Sequence, residues 1–181
     1  KFIFDNLKKK NHLIFFDIGA NVGQSISRFL NYNKKVKIHS FEPTPELHKI
    51  IKTKYAHQIE NGKIIINNFA LGDSNKEMNF FSFEYNQINS FLPLEKNSKF
   101  EISRMIAANK KGLDFKKIIK VKMTKLDDYC KLNKINEIDY IKVDTQGFEP
   151  EVLKGAHYML STQKIKILEI ELILGFAYQK N

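Results

Sequence analysis

The run Phe15-Phe16-Asp17-Ile18-Gly19-Ala20-Asn21-Val22-Gly23 constrains this chain more than any other stretch. Leu13 to Ile18 is apolar but for Asp17 and does not alternate, the pattern of a strand covered on both faces. Two glycines then break the ladder. Behind them Val22, Ile26, Phe29 and Leu30 recur at i, i+4, i+7 and i+8, the stripe of an amphipathic helix whose other faces carry Ser25, Ser27 and Arg28. Strand, glycine turn and helix open a βαβ unit, and such units wind into parallel sheets with right-handed crossovers.

The following residues repeat the unit. Val36 to Phe41 reads as a second strand, stopped at Glu42 and Pro43. Thr44 and Pro45 suit an N-cap and first helical position, with Leu47, Ile50, Ile51 and Tyr55 as the buried stripe. Gly62 precedes a third strand, Ile64 to Phe69. From Met78 to Leu94 the pattern becomes aromatic-rich alternation with Phe81, Phe83 and Tyr85 on one face, an antiparallel hairpin or edge excursion. Lys96 to Lys117 is basic and poorly periodic, and reads as a loop or cap. Ile118 to Met123 is again a strand, and Thr124 to Asp127 resembles a capping box opening a helix through Leu132. Ile138 to Val143 forms the next strand and ends at Asp144. Glu149-Pro150-Glu151 starts a helix through Val152, Leu153 and Met159; Ile165 to Leu172 is the last strand. The expectation is an α/β chain with a mostly parallel central sheet flanked by helices, the hairpin and basic loop being inserted after strand three, as a single domain over residues 1–181.

Composition narrows the function classes. The single cysteine, Cys130, leaves no disulfide framework and fits a reducing, cytoplasmic setting. Its five histidines show no pair at helical ligand spacing, so they read as surface or packing residues, and no metal site is assigned. The most apolar stretch, residues 165–178, is broken by Lys166, Glu169 and Glu171 and does not span a membrane. The chain opens on Lys1 without the apolar segment of a signal peptide, which reads as a trimmed start. A net charge of +10 attracts polyanions, so a nucleic-acid methyltransferase or RNA-binding module is one reading. Against it, Arg28 and Arg104 are the only arginines, and the aromatic residues do not interleave with a basic stripe.

Open parallel sheets bind ligands beyond the carboxyl ends of their strands. There fall Asp17, Gly19, Asn21 and Gly23, where glycines let backbone approach a ligand and helix amides face an anion. Glu42, closing the second strand, is placed to accept ribose hydroxyls. A nicotinamide enzyme would use the same geometry, but its fingerprint is G-x-G-x-x-G and this loop is G-A-N-V-G; no phosphate-loop lysine follows either.

Six strings in order, FFDIGANVGQS (15–25), HSFEPTPELHKII (39–51), NNFALGD (67–73), TKLDDYC (124–130), DYIKVDTQGFEPEVLKGA (139–156) and ILEIE (167–171), resemble the FkbM family of S-adenosylmethionine-dependent methyltransferases. The resemblance implies a Rossmann-like class I methyltransferase fold with S-adenosyl-L-methionine as cofactor. Asp17 and Gly19, Ala20, Asn21 and Gly23, with Ser25, would border its methionine part. Glu42, with Pro43, would hold the ribose; Asn68, Ala70 and Leu71 would lie beside adenine. Asp144 would face the methyl group and is the first candidate for a general base, ahead of Glu149 and His157. Where the family shows a glutamate two residues after that aspartate, this chain has Gln146. The resemblance further implies O-methylation of a sugar, glycan or related natural product, with Lys96 to Lys117 available to an acidic acceptor. A complete methyltransferase sheet adds an antiparallel pair after its fifth strand, and little remains beyond Leu174, so an inactive or truncated relative stays among the readings.

Overall fold

A computed structural model describes residue 7 and residues 10–33, 35–109, 111–172 and 177–179. Lys1 and Leu174, on which the expectations about the chain ends rest, lie outside them. In chain order the elements are β1 (Leu13–Ile18), α1 (Gln24–Tyr32), β2 (Val36–Phe41), α2 (Pro45–Lys54), α3 (Ala56–Glu60), β3 (Ile64–Asn67), β4 (Ala70–Leu71) and β5 (Lys76–Phe83). A 3-10 turn at Asn86–Ile88 follows, then α4 (Lys99–Ala107), β6 (Phe115–Thr124), α5 (Leu126–Leu132), β7 (Tyr140–Val143), α6 (Glu149–Gly155), α7 (His157–Ser161) and β8 (Leu168–Ile170).

Five strands in the order β3-β2-β1-β7-β8 make a wholly parallel sheet, and β4-β6-β5 a smaller one. β1 lies at the centre because its run is buried on both faces: Leu13, Phe15, Phe16 and Ile18 are at most 1% exposed. Phe15 packs edge-on against Phe29 of α1, ring centroids 5.2 Å apart, while Phe16 points to the opposite layer with Phe41, Tyr129, Val152 and Met159. Each such side chain contributes about 1.5–3 kcal/mol by leaving water. His39 belongs to this second layer, stacked on Phe16 at 5.0 Å with Nδ1 2.8 Å from the Tyr129 hydroxyl. Burial pushes its pKa down to about 4, so it is neutral and acts as a packing residue.

The central expectation of a mostly parallel sheet flanked by helices holds, and the inserted region is where sequence and structure part. The long partner of β5 is β6, antiparallel from Lys76↔Met123 to Phe83↔Phe115, rather than the residues up to Leu94, whose one backbone bridge to β5 among the described residues is Phe81↔Ser90. Alternation correctly put Phe81, Phe83 and Tyr85 together, around Ile88 and Tyr178, while Phe80 faces the other way onto Phe91, Met123 and Phe148. The basic segment Lys96 to Lys117 is no plain loop. Ser98 caps α4, its Oγ accepting from the Glu101 amide at 3.0 Å, and Phe115 already belongs to β6. Thr124 ends β6 instead of capping α5, whose N-cap is Lys125. Strand three stops at Asn67, whose Nδ2 donates to the Ser40 carbonyl at 3.1 Å. The last two parallel strands are shorter than expected, continued only by the bridge Ile138↔Ile165.

Candidate functional site

The carboxyl ends of β1, β2 and β7 form one side of a cleft of about 340 Å³, and β4, β5 and the turn after them form the other. Its volume falls in the roughly 300–1,000 Å³ range of small-molecule sites. Gly19 and Ala20 both donate from backbone nitrogen to the Phe41 carbonyl at 3.1 Å, clamping the β1 turn to the end of β2. Asn21 follows in the left-handed region, φ 53°, and Gln24 and Ser25 open α1 at the cleft.

The two glycines serve chain packing. A Cβ on Gly19 would lie 1.9 Å from the Asp144 carbonyl oxygen, and one on Gly23 would lie 2.7 Å from the Tyr55 ring. Tyr55 latches this corner by donating to the Gly23 carbonyl at 2.7 Å, with the Ser27 hydroxyl 2.6 Å from its oxygen. The expected close approach of these glycines is therefore to neighbouring backbone and ring.

Glu42 is 4% exposed, with Oε2 accepting from the Asn21 amide at 2.9 Å and Oε1 from the Thr44 amide at 2.8 Å. Burial pushes its pKa to about 7 even though these amides oppose the shift. Glu42 takes the amide of Thr44, the N-cap of α2, whose own side chain caps no amide of that helix. Asp17 lies under the cleft floor, fully buried, its carboxylate oxygens without a close hydrogen-bond partner among the described residues. Burial raises it to about 6; the charge of Lys142 lowers it and that of Asp144 raises it.

On the other flank, Asp144 Oδ2 accepts from Lys142 Nζ at 2.5 Å and Oδ1 from Gln146 Nε2 at 2.9 Å. The same Gln146 nitrogen donates to Glu171 Oε2 at 2.6 Å, and Glu171 Oε1 lies 3.7 Å from Arg104 of α4. Glu169, two residues earlier, is engaged elsewhere, with Arg28 at 3.0 Å and the Tyr140 hydroxyl. Glu169 in β8 and Glu171 just past it are thus both paired, and Glu171 reaches the cleft.

Of the residues singled out from sequence, Gly19, Ala20, Asn21, Ser25, Glu42, Pro43, Ala70, Leu71 and Asp144 line the cleft. Asp17, Gly23 and Asn68 do not: Asp17 is sealed beneath, Gly23 backs onto Tyr55, and Asn68 is exposed one residue past the end of β3. Glu149 and His157 also stand apart. Glu149 accepts from the amides of Thr145 at 2.7 Å and Gly147 at 2.9 Å, knitting the turn after β7, while His157 is exposed. Sequence reasoning missed Lys142, Arg104 and the aromatic wall of Phe80 and Phe91 as lining residues. The lysine's position two residues before the strand-end acid was a usable signal. Among the described residues, no group of three or more His, Cys, Asp or Glu is arranged to hold a metal ion.

A doubly wound α/β domain with a small-molecule cleft along the carboxyl edge of its parallel sheet is the class that this fold and site define. Within that class, the chain belongs to the FkbM methyltransferase family, the model for the Methyltransferase FkbM domain matching residues 17–180. It is 25% identical over 162 residues to the 2-O-methyltransferase NoeI of Sinorhizobium fredii (strain NBRC 101917 / NGR234), a match covering 86% of this chain. The chain spans 62% of the length of that curated relative. Its fold is similar to the crystal structure of methyltransferase FkbM from Methylobacillus flagellatus KT, with a TM-score of 0.55 at 16% identity, over 87% of this chain and 32% of that one. Neither match favours the nucleic-acid or nicotinamide readings.

Proposed function

We propose that this domain transfers a methyl group from S-adenosylmethionine to a hydroxyl oxygen of a sugar, glycan or related natural product. The observation that carries the reading is Glu42: a buried carboxylate fixed by two amides at the end of β2, in a cleft that the α1 N-terminus also enters. The cofactor's groups fit this donor and acceptor set. Glu42 retains lone pairs for ribose hydroxyls, each such bond to a charged acceptor contributing about 1.5–3 kcal/mol. Gln24 and Ser25, in the first turn of α1, receive the carboxylate of the methionine part, where the helix dipole favours negative charge. Leu47, Ala70, Leu71, Phe80 and Phe91 offer an apolar wall to the adenine ring and exclude water.

When bound, S-adenosylmethionine supplies a methyl carbon activated by its sulfonium. Asp144 and its neighbours stand on the flank opposite Glu42 and hold the acceptor, since in-line displacement depends on keeping the oxygen about 3–3.5 Å from that carbon. The name of the Sinorhizobium relative supports a hydroxyl acceptor. Arg104 gives the cleft one cation from the basic segment and suits an acidic acceptor. Among the described residues no helix is long and apolar enough to cross a membrane, and the free, buried Cys130 suits a cytoplasmic setting.

Calorimetry with S-adenosylhomocysteine and, separately, NAD tests the reading, together with deuteromethyl transfer from labelled S-adenosylmethionine to a panel of methyl glycosides. Binding of the first and not the second is expected, with Glu42→Ala weakening it tenfold or more. A folded wild-type protein that ignores S-adenosylhomocysteine, or a Glu42→Ala variant that binds it unchanged, refutes the reading.

A further inference from the structure

We propose that Glu171, rather than Asp144, takes the proton of the methyl acceptor, as one arm of a carboxyl pair that Gln146 clamps inside the cleft. This rests on the methyl-transfer reading and names a base that neither strand position nor family matching assigns.

Asp144 occupies the strand-end position, but its oxygens are already committed to Lys142 at 2.5 Å and Gln146 at 2.9 Å. Burial alone would raise it. The hydrogen bonds from Glu171, Lys142 and Gln146 and the lysine's charge outweigh that and hold it below the usual carboxylate range. A carboxylate so held is a weak proton acceptor. Glu171 is its complement. Its backbone nitrogen donates to the Val143 carbonyl at 3.0 Å, which seats it just past β8 beside the end of β7. Oε2 takes Gln146, and Oε1 lies 3.7 Å from Arg104, beyond hydrogen-bonding reach. The hydrogen bond with Asp144 raises Glu171 to about 7, burial adding to it, while Arg104 from α4 and Lys142 from β7 pull the other way. Asp17 and the Tyr178 hydroxyl, the latter beside Gln146, are the further titratable groups facing the pair among the described residues. Two adjacent carboxyls resist ionising together, and environments that push them apart separate their roles.

Gln146 is the positioning residue. It is buried with φ 55°, and its backbone carbonyl accepts from the Ser90 hydroxyl at 2.8 Å. Its Oε1 accepts from the Tyr178 hydroxyl at 3.3 Å, leaving Nε2 to face both acids. A carboxylate at this position would have no hydrogen to give either of them. In the reaction the acceptor oxygen bonds to the methyl carbon as the carbon–sulfur bond breaks, its electron pair staying on sulfur. The hydroxyl proton passes to Glu171, so the acceptor leaves as a neutral ether and the sulfonium charge is discharged.

The test is a carboxyl-carbon NMR titration of protein labelled at Asp and Glu, with and without S-adenosylhomocysteine, on wild type, Glu171→Gln, Asp144→Asn and Gln146→Glu. The resonance lost in Glu171→Gln should have its midpoint near 7, fall by at least one pH unit in Asp144→Asn and rise in Gln146→Glu. A midpoint in the ordinary glutamate range, or one indifferent to Asp144, overturns the pair. With methyl glycosides as acceptors, Glu171→Gln should keep S-adenosylhomocysteine affinity, lose about a hundredfold or more in kcat, and lose the acid limb of the rate profile. A wild-type rate and profile in that variant overturns the base. If wild type does not bind S-adenosylhomocysteine, the methyl-transfer reading fails and takes the base with it, while the paired titration is still decided by the protein alone.

Discussion

Replacing Glu42 with glutamine should change stability in a way that depends on pH. The folded-state pKa is about 7 against an ordinary 4.5. Between those values the folded chain keeps a proton that the unfolded chain has released. The stability this confers is present in full below 4.5 and is lost as pH rises through 7. At about 1.4 kcal/mol per pH unit, the wild type gives up about 2–3 kcal/mol from this one group between pH 5 and pH 8. Glutamine cannot ionise, so it escapes that loss. It has one acceptor oxygen where two amides, Asn21 and Thr44, need one each, and stranding one costs about 1–3 kcal/mol at every pH. Glu42→Gln should therefore be less stable than wild type at pH 5 and close that gap, or reverse it, at pH 8. Urea denaturation of both proteins at intervals across this range measures the difference, in which the other titrating groups largely cancel. At about 2–4 °C per kcal/mol for a chain of this size, the melting temperatures should shift relative to each other by about 5–10 °C. A gap that stays constant from pH 5 to pH 8 would show that the carboxyl ionises normally in the fold, and the account of Glu42 as a desolvated acid awaiting hydroxyl donors would fail.

Gly19→Ala should cost about 3 kcal/mol or more, combining a positive φ with a Cβ 1.9 Å from the Asp144 carbonyl oxygen, whereas Gly62→Ala, positive in φ but with nothing within 4 Å, should cost about 1–2 kcal/mol; equal losses in denaturant would refute the packing argument. Asp127→Ala removes the acceptor of the Tyr158 and Met159 amides at 2.7 and 3.1 Å, so differential scanning calorimetry should show about 1–2 kcal/mol lost with S-adenosylhomocysteine affinity unchanged.

What the sequence discloses here is what is local. β1 has the expected bounds because an uninterrupted buried run signals itself within a few residues; α1 follows the glycine turn as expected but starts at Gln24, leaving Val22 of the expected stripe in the turn. α4 was hidden by its chemistry. Ser98-Lys99-Phe100-Glu101 is a capping box in plain view, but α4 has no buried residue, so the apolar period that announces a helix is missing. The pairing of β5 with β6 was illegible for another reason: alternation tells which face a side chain takes and is silent on which strand lies alongside. The same limit applies to the site. Glycine loop and strand-end acids are read from position, whereas Gln146, Glu171 and Arg104 meet only through tertiary packing of three separate segments. The glycines show a subtler gap, since a demand for no side chain is visible in sequence and the neighbour that imposes it is not.

The cleft has walls of different origin, a floor from the parallel sheet and a facing side from the three-stranded one. Under the proposed function this gives evolution two dials. Exchanges at Phe80, Asn86, Gln87 or Phe91 remodel the opening and change which molecule is modified, while the cradle of Gly19, Gly23 and Glu42, tied down by Phe41, Tyr55 and Asn21, stays as it is. Diversification within such a lineage should therefore concentrate in the chain from β5 through α4, and a swap of that segment between relatives should carry acceptor preference with it.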